Sequence, residues 1–163
     1  MNKTIKVLIM DVDGTLTDGK IYMGPSGECF KAFDIKDGYG IHEILPQYGI
    51  KAAIITGRES TIVLHRAEEL GISYVIQNAK DKVEALMKLA DMTKCTFQEM
   101  AYIGDDMIDL KPMELCGLKG APADAVPAIK KISDYVTEKK AGSGAVREFI
   151  EWIVSQPKEK NED

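Results

Sequence analysis

Cysteine is sparse in this chain of 163 residues: Cys29, Cys95 and Cys116 are odd in number and lack metal-type spacing. That argues against a disulfide framework or a thiolate metal site and favours free thiols in a reducing cytoplasm. Histidine is scarcer, since His42 and His65 fall inside predicted helices, far from any Cys or His partner. Neither is read as a metal ligand. Basic charge is also short: 21 Lys and Arg stand against 26 Asp and Glu, a net charge of −5 without a long basic run. A nucleic-acid partner is therefore not expected. No apolar stretch approaches the ~20 residues that span a bilayer. The short N-terminal apolar run lacks a small-residue cleavage site. Neither a membrane partner nor a signal peptide is expected, and no internal repeat or low-complexity tract appears.

What is present reads as strands alternating with helices. Residues 5–10 form a wholly apolar strand, as in a sheet covered on both faces. "KIYM" and "CFKAF" flank the turn-rich "GPSG" and predict a β-hairpin over about 20–34. A helix follows from Asp37, a plausible N-cap, to Gly49. The pattern continues with strand "KAAIIT", helix 59–70, strand "SYVI", helix 81–92, strand "AYIG" and helix 106–116. Short strand "LKGA", helix 124–132, strand "DYVT" and a last helix over about 144–155 complete it. Composition is ordinarily globular, with 45% hydrophobic and 29% charged residues, enough for one core. The expectation is one α/β domain over 1–156, a Rossmann-like, mostly parallel sheet with helices on both faces. The stretch from 139 to 163 forms its C-terminal tail, and the charged end from Pro157 is expected to fray.

Ligands of such sheets bind beyond the carboxyl ends of the strands. Those ends carry Asp11 and Asp13, then Thr56, Gly57 and Arg58, then Lys82, then Asp105 and Asp106. Carboxylates from two separate strands make an oxygen-only site suited to a hard cation such as Mg²⁺. The cation would make the crowded anions tolerable. A carboxylate beside such an ion can act as a nucleophile toward phosphorus. The Thr56 hydroxyl and the Lys82 ammonium would then hold phosphoryl oxygens as charge develops. Asp13, across the backbone turn from Asp11, would protonate the departing alkoxide and later deprotonate water.

Taken in order, "DVDGTLTDG", "IITG", the lysine of "KDK" and "YIGDD" resemble the four motifs of the haloacid dehalogenase superfamily of phosphohydrolases. The resemblance implies Asp11 as nucleophile and Asp13 as acid/base. It further implies Asp11, Asp13 and Asp105 around Mg²⁺, with Asp106 behind them. Neither interval between motifs has room for a folded cap. The hairpin, "DIKDGYGI" and the tail "KAGSGAVREF" are similar to the 3-deoxy-D-manno-octulosonate 8-phosphate phosphatases, a capless family. That similarity implies a small sugar-acid phosphate as substrate and a homotetramer joined through the hairpins. It also implies a tail that reaches a neighbouring site, and substrate contacts from Lys36, Asp37, Gly38, Gly57, Arg58 and Arg66, beside Asp13 and Lys82.

Arg58 bears most on the substrate, since an arginine pairs with a carboxylate where a glutamate would repel it. Phosphatases of the nine-carbon 2-keto-3-deoxynononate 9-phosphate tend to carry glutamate there and are the nearest rival. A non-enzymatic oligomerisation module of the same fold is the rival from another class. Two departures are visible: Ala141-Gly142-Ser143-Gly144 stands where the family tail often reads Gly-Gly-x-Gly, and "NAKDK" leaves Lys80 as an alternative to Lys82.

Overall fold

Val7–Met10 (β1) is buried at all four positions. A strand with no polar face must be covered on both sides, and so it is in the computed structural model, which describes residues 4–157. Leu8 and Met10 enter one core with Ile54, Val63, Phe149 and Ile150. Val7 and Ile9 enter the other with Ile55, Leu86, Leu89 and Met113.

After β1 a small antiparallel hairpin, β2 (Tyr22–Gly24) and β3 (Gly27–Phe30), projects as a separate two-stranded sheet. β1 pairs in parallel with β4 (Lys51–Ile55) on one side and β6 (Met100–Ile103) on the other, Leu8 opposite Ala52 and Ala101. β5 (Tyr74–Ile76) lies outside β4, and β7 (Leu118–Ala121) and β8 (Tyr135–Val136) lie outside β6, every pairing parallel. The chain thus winds outward through β4 and β5, then returns to β6 across β1. That reversal opens a crevice at the carboxyl ends of β1 and β6. The expected α/β architecture is the one observed.

The helices sort by core. α1 (Ile35–Tyr39), α3 (Thr61–Leu70) and α7 (Ala145–Ser155) cover one face of the sheet. α4 (Lys82–Thr93), α5 (Leu110–Leu115) and α6 (Pro127–Ile132) cover the other. Between α1 and the short α2 (Leu45–Gln47) the backbone widens into a π turn over Gly40–Ile44. Pro46, which has no N–H to offer the preceding turn, stands just beyond it.

Three boundaries differ from the sequence expectation. α1 starts at Ile35 because the Asp34 side chain accepts from Lys36 N and caps it; Asp37 is one turn inside. The segment 106–116 opens with a 3₁₀ turn, Met107–Asp109, before α5. α6 begins only at Pro127, whose fixed φ and missing N–H suit a first helical position. The tail is no loose arm. Phe149 and Ile150 of α7 are fully buried, and Ala141 N–H donates to Asp124 Oδ1 at 2.9 Å. Ala141 takes an ordinary backbone conformation, the positive φ values of this stretch falling on Gly142 and Gly144. Beyond Pro157 the predicted frayed end lies outside the described residues.

Candidate active site

β1 delivers Asp11 to the crevice, where its backbone N–H still donates to Ile103 O of β6. The Asp11 carboxylate is buried; its Oδ1 accepts from Val12 N–H at 2.8 Å and lies 3.0 Å from Lys82 Nζ. Lys82 is the first residue of α4, whose N-cap Asp81 accepts from Val83 N and Glu84 N. With that cap fixed, the Lys82 ammonium is buried and also donates to Asp109 Oδ1 at 2.7 Å. Lys80 is exposed, so the geometry favours Lys82.

Asp105 follows β6. Its Oδ1 accepts from the Thr15 hydroxyl at 3.3 Å, and its N–H donates to Asp109 Oδ2 at 3.1 Å. Gly14 is needed here on two grounds: its φ is +82°, and a Cβ would overlap Asp105 Oδ2. Asp11, Asp105 and Asp109 offer carboxylate oxygens within 4.8 Å of one another. Three carboxylates and one ammonium leave an anionic surplus in a buried place. Burial first, then the Asp109 charge, raises the Asp11 carboxyl well above its ordinary range against the pull of Lys82. Burial likewise pushes Asp105 up to about 6. Lys82 moves up although burial alone would lower it, because Asp11 and Asp109 outweigh that effect.

Asp109 is absent from the residues that the sequence patterning singles out. It is fully buried, and both its oxygens are engaged: Oδ1 by Lys82 and by the Tyr102 hydroxyl at 2.8 Å, Oδ2 by the Asp105 and Asp106 N–H groups. The carboxylates with capacity left for a cation are therefore Asp11 and Asp105. A hard divalent ion fits this donor set, with oxygen ligands only and a surplus of negative charge to balance. The available signal was the spacing Asp105-Asp106-x-x-Asp109, which returns an acid to the same side after one turn.

Other expected site residues divide. Thr56 is buried at the end of β4, held by Thr56 N→Ile76 O and Ala79 N→Thr56 O, and its hydroxyl makes no hydrogen bond to the described residues. Gly57 follows it, packed against Ile108. Arg58 is 46% exposed, its Nη2 3.6 Å from Glu28 Oε2 of the hairpin. Asp13 does not join the carboxylate cluster through its side chain, because its Oδ1 pairs with Lys31 Nζ at 2.6 Å. Asp106 is exposed and caps the 3₁₀ turn, its Oδ1 accepting from Met107 N–H at 2.7 Å.

The expected substrate loop packs against α7. Asp37 is only 2% exposed and accepts from Arg147 N–H in the first turn of α7 at 2.9 Å, capping that helix from 110 residues away. Lys36 is exposed and its carbonyl accepts from Arg147 Nη1. Gly38 admits Arg66, whose Nη2 lies 2.6 Å from where a Cβ would stand. Arg66 itself stacks over Phe33 and pairs with Glu69.

A phosphoryl-transfer-type site at the switch point of a parallel sheet defines the class of protein. Residues 74–150 match the haloacid dehalogenase-like hydrolases. The chain belongs to this group, in the family of 3-deoxy-D-manno-octulosonate 8-phosphate phosphatases. It is 45% identical to the Yersinia pestis enzyme of that name over 150 residues, covering 92% of this chain and 80% of the relative. The crystal structure of that phosphatase superposes with a TM-score of 0.89 over 93% of this chain and 82% of the other. The Moraxella catarrhalis phosphatase, solved with magnesium, phosphate and a KDO molecule, is 45% identical with a TM-score of 0.88, covering 93% and 87% of the two chains. A cobalt-bound Haemophilus influenzae phosphatase is 38% identical with a TM-score of 0.89, covering 93% and 88%.

Proposed function

We propose that this protein is a Mg²⁺-dependent phosphatase that hydrolyses 3-deoxy-D-manno-octulosonate 8-phosphate to the free sugar acid and phosphate. One observation carries it: the buried Asp11 carboxylate, 3.0 Å from Lys82 Nζ, faces Asp105 across the mouth of the sheet. Family membership at 45% identity supports the same activity.

Asp11 is the nucleophile. Val12 N–H and Lys82 both fix its Oδ1, so the carboxylate meets phosphorus in a set orientation. As the Asp11–phosphorus bond forms and the bond to the sugar oxygen breaks, Asp13 gives its proton to the leaving alkoxide. Water then attacks the aspartyl phosphate, Asp13 takes the proton, and phosphate leaves Asp11 regenerated. Lys82 and the Thr56 hydroxyl bind the phosphoryl oxygens as their charge grows. Mg²⁺, held by Asp11, Asp105 and a group from Asp13, supplies charge compensation for the anionic surplus and for the phosphate.

Arg58 is the partner for the substrate carboxylate, and its half-exposed position at the mouth supports that role. The carboxylate is common to the eight- and nine-carbon substrates; what favours the eight-carbon one is an arginine at position 58, where phosphatases of the nine-carbon substrate tend to carry glutamate. The protein assembles as a homotetramer through the hairpin, a reading supported by the exposure there of Met23 (65%) and Phe30 (55%). Its free thiols suit the cytoplasm.

The test is phosphate release from the eight- and nine-carbon keto-acid phosphates with Mg²⁺ and after EDTA, for wild type and Asp11→Asn. Turnover of the eight-carbon substrate should be fastest and should vanish with chelation or in Asp11→Asn. Near-normal turnover in the variant removes Asp11 from the nucleophile role, and activity under thorough chelation removes the metal.

A further inference from the structure

Lys31 has no part in the chemistry above, yet its side chain is only 3% exposed. A buried ammonium is expensive unless well paired, and this one has two carboxylates: Asp13 Oδ1 at 2.6 Å and Glu28 Oε2 at 3.1 Å. Glu28 reaches on to Arg58 at 3.6 Å. Charges of alternating sign therefore run from Asp13 through Lys31 and Glu28 to Arg58. Both middle members come from the hairpin, Glu28 on β3 and Lys31 just after it.

Asp13 stands in the turn after β1, where a carboxyl free to rotate would swing to water, away from the anionic Asp11 and Asp105. Lys31 takes one oxygen, Oδ1, and leaves Oδ2 without a partner among the described residues. We propose that Lys31 is a positioning residue for the reaction: the hairpin uses it to hold the Asp13 carboxyl where Oδ2 meets the leaving oxygen. The proposal rests on the reading of Asp13 as acid/base. A general acid must lie within hydrogen-bond reach of its target, and a misplacement of about 1 Å can cost on the order of 10²-fold. Through Glu28 the same network ties this placement to Arg58.

The experiment compares kcat/KM, which covers steps up to leaving-group departure, on 3-deoxy-D-manno-octulosonate 8-phosphate and on p-nitrophenyl phosphate. The sugar alkoxide needs a proton to leave; p-nitrophenolate does not. Lys31→Met should lower kcat/KM on the sugar phosphate by about 10- to 100-fold and on the aryl phosphate by about threefold or less. Lys31→Arg should recover most of the loss. An equal loss on both substrates, or none on either, overturns the proposal. Asp13→Asn, run in parallel, should show the same selectivity. Unchanged sugar-phosphate turnover there defeats the acid/base reading itself, independently of Lys31. In the Asp13→Asn background Lys31→Met should add nothing, and a further loss of the original size places Lys31 in another role and overturns the proposal. If melting shows that Lys31→Met does not fold, Lys31→Gln takes its place: a loss confined to the sugar phosphate supports the proposal, and an equal loss on both substrates overturns it.

Discussion

Replacing Asp37 by Asn should make the protein more stable at neutral pH and leave it little changed in acid. Burial, opposed by the Arg147 N–H hydrogen bond and reinforced by Asp34, lifts the Asp37 carboxyl from 3.8 to about 6. Its second oxygen, Oδ2, is buried without a hydrogen-bond partner among the described residues. Below about pH 3 the group is protonated in both folded and unfolded chains, so it contributes no penalty. As pH rises toward about 6 the unfolded chain ionises first, and the folded state falls behind. Above the folded value the full difference applies, about 3 kcal/mol at most. Asparagine keeps Oδ1 for Arg147 N–H and removes the ionisation. Urea melts of both proteins from pH 4 to 7 isolate the effect, because other titrating groups cancel in the difference. The advantage of the variant should grow by about 1–3 kcal/mol across that range. A difference that stays flat, or that turns against the variant as pH rises, refutes the reasoning. The latter would mean that the α7 N-terminus and the nearby arginines stabilise the anion more than burial penalises it. KM should stay near wild type, since Asp37 fastens α7; a large rise in KM would restore it to the substrate.

Asp109→Ala should cost about 3–5 kcal/mol, because it leaves the buried Lys82 with Asp11 alone and the Tyr102 hydroxyl without its acceptor. Chemical denaturation reads this, and a loss under about 1 kcal/mol would show that Asp109 is not the anchor of Lys82. Arg58→Glu should raise KM for the sugar-acid phosphate far more than for p-nitrophenyl phosphate; equal effects would mean that Arg58 reads phosphate. Deletion of 141–163 should unfold the protein, since it removes the buried Phe149 and Ile150, and a cooperative melt near wild type would contradict the placement of α7 in the core.

What can be read from the sequence is what is local. A wholly apolar strand demands cover on both faces, and the residue after it must surface at the sheet's end. Asp11, Thr56 and Asp105 are therefore legible from strand patterning alone. Lys82 needs only the Asp81 cap beside it. Non-local pairing is not legible. Nothing near Lys31 signals that its ammonium turns back to Asp13, and nothing near Asp37 signals an unpaired helix end at Arg147. Asp37 resembles the cap of its own helix because an acid before Gly-Tyr-Gly suits a helix start. Asp34 takes that place instead, which leaves Asp37 facing the first turn of α7.

Asp109 explains how a cluster with too many carboxylates can hold together. Counted as a third metal ligand it would deepen the anionic surplus around Asp11 and Asp105. With its oxygens engaged by Lys82, Tyr102 and two backbone N–H groups, it acts instead as the acceptor that fixes the buried Lys82 ammonium. Lys82 thus has two anionic neighbours, which keep it charged despite burial, and only one of them, Asp11, is the nucleophile in the proposed reaction. Withdrawing charge from Asp109 would free Lys82 to follow Asp11 closely and dampen its nucleophilicity. On the proposed reading of Asp11 as nucleophile, the buried pair Tyr102–Asp109 therefore bears on the chemistry by setting how firmly Lys82 holds that carboxylate.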